Sequence, residues 1–223
     1  GPVDAQYQGA SFRFYHQASA TERGALFNPD YNLEELDFLR AHVPPGGVFV
    51  DVGANVGTYA LALARHVGAT GKVIAIEPHP VTHARLAFNN AASRYAQVKL
   101  VAAASGPTDG ELMIETDGDN LGASHIVSGT ASGKAIRVPS LRLQRILEEV
   151  PRGHRAVLVD PAFELGGPTG TEKADKLGGL LRRDGVIGNL AQHRIIGIAD
   201  RVAAQQRRAG LHQHGQQIVE IMR

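Results

Sequence analysis

The chain has 223 residues, 43% of them hydrophobic, and its 23 Lys+Arg against 22 Asp+Glu leave a formal charge of +1. That length suits one α/β domain burying roughly 70% of its unfolded surface, and the balanced charge supplies no global field for nucleic acid or an anionic membrane. With no cysteine there is neither disulfide nor thiolate chemistry, and no apolar run is long enough to span a bilayer, so a soluble protein is expected.

Residues 1–30 read as an N-terminal flap: Ser11-Phe12-Arg13-Phe14-Tyr15 alternates like a short strand, and a polar stretch follows to Asn28-Pro29-Asp30. The remainder, 31–223, reads as the main domain. Tyr31 to His42 is predicted to be an amphipathic helix capped by Asn32, with Leu33, Leu36 and Leu39 on one face and Pro44-Pro45-Gly46-Gly47 stopping it.

The most informative stretch runs from Val48 to Pro80. Val48-Phe49-Val50-Asp51-Val52 and Lys72-Val73-Ile74-Ala75-Ile76-Glu77 are apolar runs ending in carboxylates. They flank the turn Gly53-Ala54-Asn55-Val56-Gly57 and a helical segment from Thr58 to His66, which makes a βαβ unit of a parallel sheet. Such units bind ligands at the carboxyl ends of their strands. Ala54-Asn55-Val56 separates the glycines, so the dinucleotide fingerprint is absent, and no Gly-Lys-Ser/Thr follows to cradle phosphates. Glu77 falls where an acid can accept both hydroxyls of a ribose. A nucleoside without a pyrophosphate fits this combination best.

A second crossover helix is expected over about Val81 to Tyr95, with Asn89-Asn90 helping to end it. Gln97 to Ala104 reads as a third buried strand, and Ser105 to Gly110 as a turn into Glu111-Leu112-Met113-Ile114-Glu115. Asp117 to Lys134 is polar enough for a long functional loop, Ala135 to Pro139 reads as a strand, and Ser140 is placed to cap a helix presenting Leu143, Ile146, Leu147 and Val150. Arg155 to Asp160 is a fourth parallel strand with Asp160 at its carboxyl end. Beyond it, helices near Glu172 to Arg183 and Asp200 to Ala209 and strands at Ile195 to Ile198 and Gln217 to Met222 continue the βαβ order. His212 and His214 lack a third ligand nearby and read as solvated, so no metal is expected.

Asp51-Val52-Gly53-Ala54-Asn55-Val56-Gly57, Gly71 to Pro80 with its Glu77-Pro78-His79-Pro80, and Leu86-Ala87-Phe88-Asn89-Asn90 together resemble the FkbM family of S-adenosylmethionine-dependent methyltransferases. The likeness is close from about Tyr31 to Val150 and weak afterwards. It implies a Rossmann-like class I methyltransferase fold, a mostly parallel sheet with helices on both faces, and S-adenosyl-L-methionine as cofactor, which favours a cytoplasmic protein. By resemblance, Asp51, Gly53, Asn55, Gly57 and Glu77 hold the methionine and ribose parts, and Ala103 and Ser105 line the adenine.

The implied reaction is O-methylation of a hydroxyl on a small or sugar-like molecule, with Asp160 at the acceptor and His125 as the residue best suited to take its proton. Where the family usually reads Lys-Ile-Asp-Val-Glu-Gly, this chain has Val159-Asp160-Pro161-Ala162-Phe163-Glu164. That segment instead resembles the Asp-Pro-Pro-Tyr/Phe motif of enzymes methylating exocyclic amines in nucleic acid. Amine methylation, or cofactor binding without catalysis, therefore stands beside the hydroxyl reading, and the near-zero charge weighs against a nucleic-acid partner.

Overall fold

A computed structural model of the protein describes residues 1–117, 120–127, 135–148, 155–159 and 217–221. The central sheet has five strands in the order β11-β10-β3-β4-β5. β3 (Val48–Val52), β4 (Lys72–Ile76), β5 (Val98–Val101) and β10 (Arg155–Val159) run parallel, while β11 (Gln217–Ile221) runs antiparallel to β10. Helices α3 (Thr58–Val67) and α4 (Pro80–Ser93) make the crossovers from β3 to β4 and from β4 to β5. This is a Rossmann-like α/β sheet with β3 at its centre.

Both faces of β3 and β4 are buried, which is why these strands are continuous apolar runs rather than alternating ones. Phe49, Val73 and Ala75 share a core with Leu36 and Leu39 of α2 (Leu33–His42), the inner face of α3, and Leu86 of α4. Val50 and Ile74, one residue out of phase, point to the opposite face and are equally buried.

The N-terminal segment joins the same core. β1 (Val3–Tyr7) and β2 (Ala10–Phe14) form a hairpin whose two-residue turn, Gln8-Gly9, has positive φ at both positions, the twist a tight hairpin demands. Tyr7, Ala10, Phe12 and Phe14 are buried in the main cluster. The polar stretch after β2 holds a helix that the sequence reading left out, α1 (Ala20–Phe27). Its signal is the spacing Ser19-x-x-Glu22, since Ser19 Oγ accepts the Glu22 N–H at 3.2 Å as a helix N-cap.

Several expected boundaries move. Asn32 takes the N-cap position of α2, its carbonyl accepting the Leu36 N–H at 3.0 Å, but it sits at φ 56 without a side-chain cap bond and the helix begins at Leu33 rather than Tyr31. α4 ends at Ser93, close to the expected Tyr95, and Arg94 in the left-handed conformation closes it rather than Asn89-Asn90. The third strand is only Val98–Val101, and Ala104–Ser105 (β6) leaves it for a second, four-stranded sheet ordered β6-β9-β7-β8.

In that sheet β8 (Asn120–Ile126) occupies most of the first half of the expected loop, because β7 (Gly110–Asp117) offers an antiparallel partner that sets Ile126 opposite the buried Ile114. Ser140 lies in β9 (Ile136–Leu141) and donates to the Thr108 carbonyl at 2.8 Å, so α5 (Leu143–Leu147) starts after Arg142 without it. The antiparallel β11 corrects the expected βαβ continuation, since a short apolar run satisfies either kind of ladder and carries no direction of its own. The expected helices at 172–183 and 200–209, the strand at 195–198, and His212 and His214 lie outside the described residues.

Candidate functional site

Residues 53–57 turn the chain from β3 into α3, and three of them have positive φ: Gly53 at 82°, Asn55 at 51° and Gly57 at 97°. Two glycines and an asparagine meet that demand at little steric cost. The turn is latched to the end of β4, where the Ile76 carbonyl accepts both the Gly53 and the Ala54 N–H at 2.9 Å. The next residue completes the latch. Glu77 is 2% exposed; its Oε2 accepts the Asn55 N–H at 2.9 Å and its Oε1 accepts the His79 N–H at 2.8 Å. One carboxylate thus joins the glycine turn to the start of α4.

Asp51 is buried inside β3, level with Ala75 of β4 and Leu158 of β10, rather than at the strand's tip. It lies close enough to Tyr59 to reinforce the effect of burial, which pushes that phenol's pKa well up. Asp51, Gly53, Asn55, Gly57 and Glu77 are therefore assembled at the carboxyl ends of the two central strands, as a βαβ ligand site requires. Ala103 is buried just past β5, and Ser105 is half-buried in β6, level with Leu141 of β9.

His125 lies in β8 of the second sheet, opposite Glu115 and half-buried, and β8 packs against both α1 and α4. Asp160 lies outside the described residues; the strand before it ends at Val159, in register with Val52.

The first turn of α4 brings further polar atoms beside Glu77. Pro80 opens the helix, and His79 Nδ1, Thr82 Oγ1 and His83 Nε2 are buried without a hydrogen-bond partner among the described residues. Burial lowers the pKa of both imidazoles, and the positive charge of Arg85 lowers that of His79 further.

Asn89, read in the sequence as a helix terminator, and Glu22, not singled out there, fasten the elements around the site. Asn89 is fully buried, donates to the Val56 carbonyl at 3.0 Å and accepts the Arg13 N–H at 2.9 Å, so it braces the glycine turn rather than ending α4. Glu22 is also fully buried, pairs with Arg85 at 2.5 Å and accepts the Tyr15 N–H. Their spacing along the chain gave no sign of these partners, which are 33 and 63 residues away.

The donor set fits a ribose-bearing nucleoside. The Glu77 carboxylate, held by the backbone amides of Asn55 and His79, is an acceptor of the kind to which ribose hydroxyls donate. No described helix is long and apolar enough to cross a membrane.

No curated protein matches the sequence. Among solved structures, TYW2 of M. jannaschii in complex with AdoMet is 20% identical with a TM-score of 0.35, over 45% of this chain and 42% of that one. TYW2 of P. horikoshii in complex with MeSAdo is 21% identical with a TM-score of 0.39, over 48% and 39%. A putative rRNA-methylase from Clostridium thermocellum is 15% identical with a TM-score of 0.42, over 83% and 93%. This chain thus spans about two fifths of either TYW2. The family comparison is specific, for residues 51–159, from the carboxylate of β3 through the last residue of β10, match the Methyltransferase FkbM domain. Over that span, which holds the glycine turn and Glu77, the chain is similar to an FkbM methyltransferase domain.

Proposed function

We propose that the protein is an S-adenosylmethionine-dependent methyltransferase acting on a hydroxyl of a small or sugar-like acceptor in the cytoplasm. The observation that carries this reading is the Glu77 carboxylate bound to the Asn55 amide, which sets an acid for a ribose against a glycine turn with no phosphate-binding pattern. S-adenosylmethionine, when bound, supplies an electrophilic sulfonium methyl. Glu77 would accept the ribose hydroxyls, Asp51 and the backbone of residues 53–57 would hold the methionine portion, and Ala103 and Ser105 would line the adenine. Asp160 would orient the acceptor oxygen and His125 would take its proton, the cofactor supplying the methyl group. Orientation of this kind can supply roughly 7–11 kcal/mol of barrier reduction.

A second reading rests on Asp160-Pro161-Ala162-Phe163, whose order suits an exocyclic amine of a nucleic-acid base. Calorimetry with S-adenosylmethionine, its demethylated product and NAD tests the cofactor, and binding of NAD alone would reject it. A methyl-transfer screen across hydroxylated small molecules and RNA then separates the acceptors. Product on RNA alone would replace the hydroxyl reading, and cofactor binding without any product would leave a binding protein. Asp160→Asn is expected to abolish turnover with cofactor affinity nearly intact.

A further inference from the structure

Strand β2 presents one edge to β1 and the other to helices. On that second edge the N–H groups of Ser11, Arg13 and Tyr15, alternate residues of an extended chain, are each taken by a side chain. Ser93 Oγ accepts the first at 2.9 Å, Asn89 Oδ1 the second at 2.9 Å and Glu22 Oε2 the third at 2.5 Å. Ser93 and Asn89 stand four residues apart on α4, and Arg85, four residues earlier again, holds Glu22. One line of α4 thus reads the backbone of the hairpin.

Asn89 differs from the other two because its second polar atom leaves the hairpin. Its Nδ2 donates at 3.0 Å to the carbonyl of Val56, between the two positive-φ residues Asn55 and Gly57. The side chain is fully buried, so neither bond is replaced by water, and the amide has one orientation, because a flipped group would set donor against donor and acceptor against acceptor. Leu86, one turn earlier on α4, blocks the same turn from the side: a Cβ on Gly57 would come within 2.6 Å of it.

We infer that Asn89 is a positioning residue that holds the glycine turn in its cofactor-binding shape and makes cofactor affinity depend on the Arg13–Asn89 bond to the β1–β2 hairpin. This rests on the proposed role of residues 53–57 in binding the cofactor. The amide ties Arg13 of the hairpin to Val56 of the turn through one rigid side chain, so displacing the hairpin pulls on the group that fixes the turn. Ser93 ties the same hairpin to the same helix without touching the turn, which makes it the internal control.

The test compares Asn89→Ala, Asn89→Asp and Ser93→Ala with the wild-type chain, by calorimetric titration of S-adenosylhomocysteine and by amide hydrogen exchange of the ligand-free proteins. Asn89→Ala is expected to raise the dissociation constant about tenfold, the usual scale for a lost buried hydrogen bond, and to speed exchange at Asn55 and Gly57. Asn89→Asp keeps the acceptor for Arg13 but faces Val56 with an oxygen, so it should loosen the turn while the Arg13 amide stays protected. Ser93→Ala should free the Ser11 amide and leave affinity within about twofold. Wild-type affinity and unchanged turn amides in Asn89→Ala would overturn the inference, as would an equal loss in Ser93→Ala.

If neither Asn89 variant folds, Arg13→Pro removes the hairpin N–H on an edge where proline is tolerated, and Arg13→Ala, which loses the same side-chain contacts to Asp4 and Phe88 but keeps the N–H, is its reference. Relative to that reference the dissociation constant of Arg13→Pro should rise severalfold, and an unchanged value would equally reject the coupling. A wild-type chain that binds neither sulfur nucleoside would reject the function reading, while the exchange comparison judges the positioning role without any ligand.

Discussion

Glu77 reaches from the end of β4 to the backbone N–H of Asn55, 2.9 Å away and 22 residues earlier in the chain. The carboxylate therefore has two tasks, shaping the turn and, in the proposed function, receiving the ribose. Glu77→Ala is expected to weaken S-adenosylmethionine binding by about 1.5–3 kcal/mol, the scale of a hydrogen bond to a charged group, or roughly ten- to hundredfold in dissociation constant. Glu77→Gln keeps an acceptor for only one of the two backbone amides and should fall between. Calorimetry on the folded variants decides this, and an unchanged affinity in Glu77→Ala would remove the residue from the site.

Gly57 and Gly68 begin and end α3, both at positive φ, but only Gly57 is crowded. A Cβ on Gly68 meets nothing within 4 Å, so Gly68→Ala should lose only the backbone preference, about 1–3 kcal/mol for an extended ψ at positive φ. A Cβ on Gly57 would come within 2.6 Å of Leu86 and 3.1 Å of Leu61, both fully buried, adding roughly 1–3 kcal/mol of overpacking. Urea denaturation should find Gly57→Ala destabilised beyond the left-handed backbone cost of about 1–2 kcal/mol, and a loss within that range would show that α4 yields.

The contrast between these two glycines indicates what the sequence could reveal. The β3-turn-α3-β4 unit was legible because its signals are local: apolar runs, glycines at fixed spacing and an acid at the next strand's end. The need for glycine at 57 could be seen, whereas its crowding by Leu86, 29 residues on, could not. The same holds for Asn89, whose neighbours suggest helix termination while its bonds run to Arg13 and Val56. α1 escaped notice because its apolar face is short, although Ser19 and Glu22 marked its start. The direction of β11 was not legible at all, since pairing sense is a property of the sheet.

The first turn of α4 should make the fold sensitive to mild acid. Burial depresses the pKa of both His79 and His83 below the usual imidazole value of about 6.5, and Arg85 adds to the effect at His79. The unfolded chain then binds more protons than the folded one, so the stability contributed by neutral imidazoles is fully present above about pH 6.5 and is lost as pH falls through the depressed folded values. A separate loss is expected at much lower pH from Asp109, whose carboxyl is held down at about 2, chiefly by the Arg142 backbone N–H and the Arg145 guanidinium. Urea midpoints between pH 8 and 5 should decline for the wild-type chain and decline less for His79→Gln. Parallel slopes would show that His79 is not responsible.

The Glu22–Arg85 pair offers the sharpest test of how the hairpin region is fastened to α4. Glu22 is fully buried and accepts from Arg85 and from the Tyr15 N–H, each at 2.5 Å, while the Arg85 guanidinium lies 4.1 Å above the Tyr15 ring. Removing one member of a buried pair strands the other, a change that typically costs 3–5 kcal/mol, whereas removing both costs less than the sum. Arg85 retains 14% exposure, so part of its charge stays solvated and the lower end, about 3 kcal/mol, is expected for Glu22→Gln. Arg85→Met should cost a similar amount by stranding the carboxylate. The double variant should recover at least ~1 kcal/mol relative to additivity, because neither charge is then left alone. Denaturation of the four proteins closes the cycle. Additive losses would mean that Glu22 acts through the Tyr15 N–H alone, and that Arg85 contributes by covering the Tyr15 ring rather than by its charge.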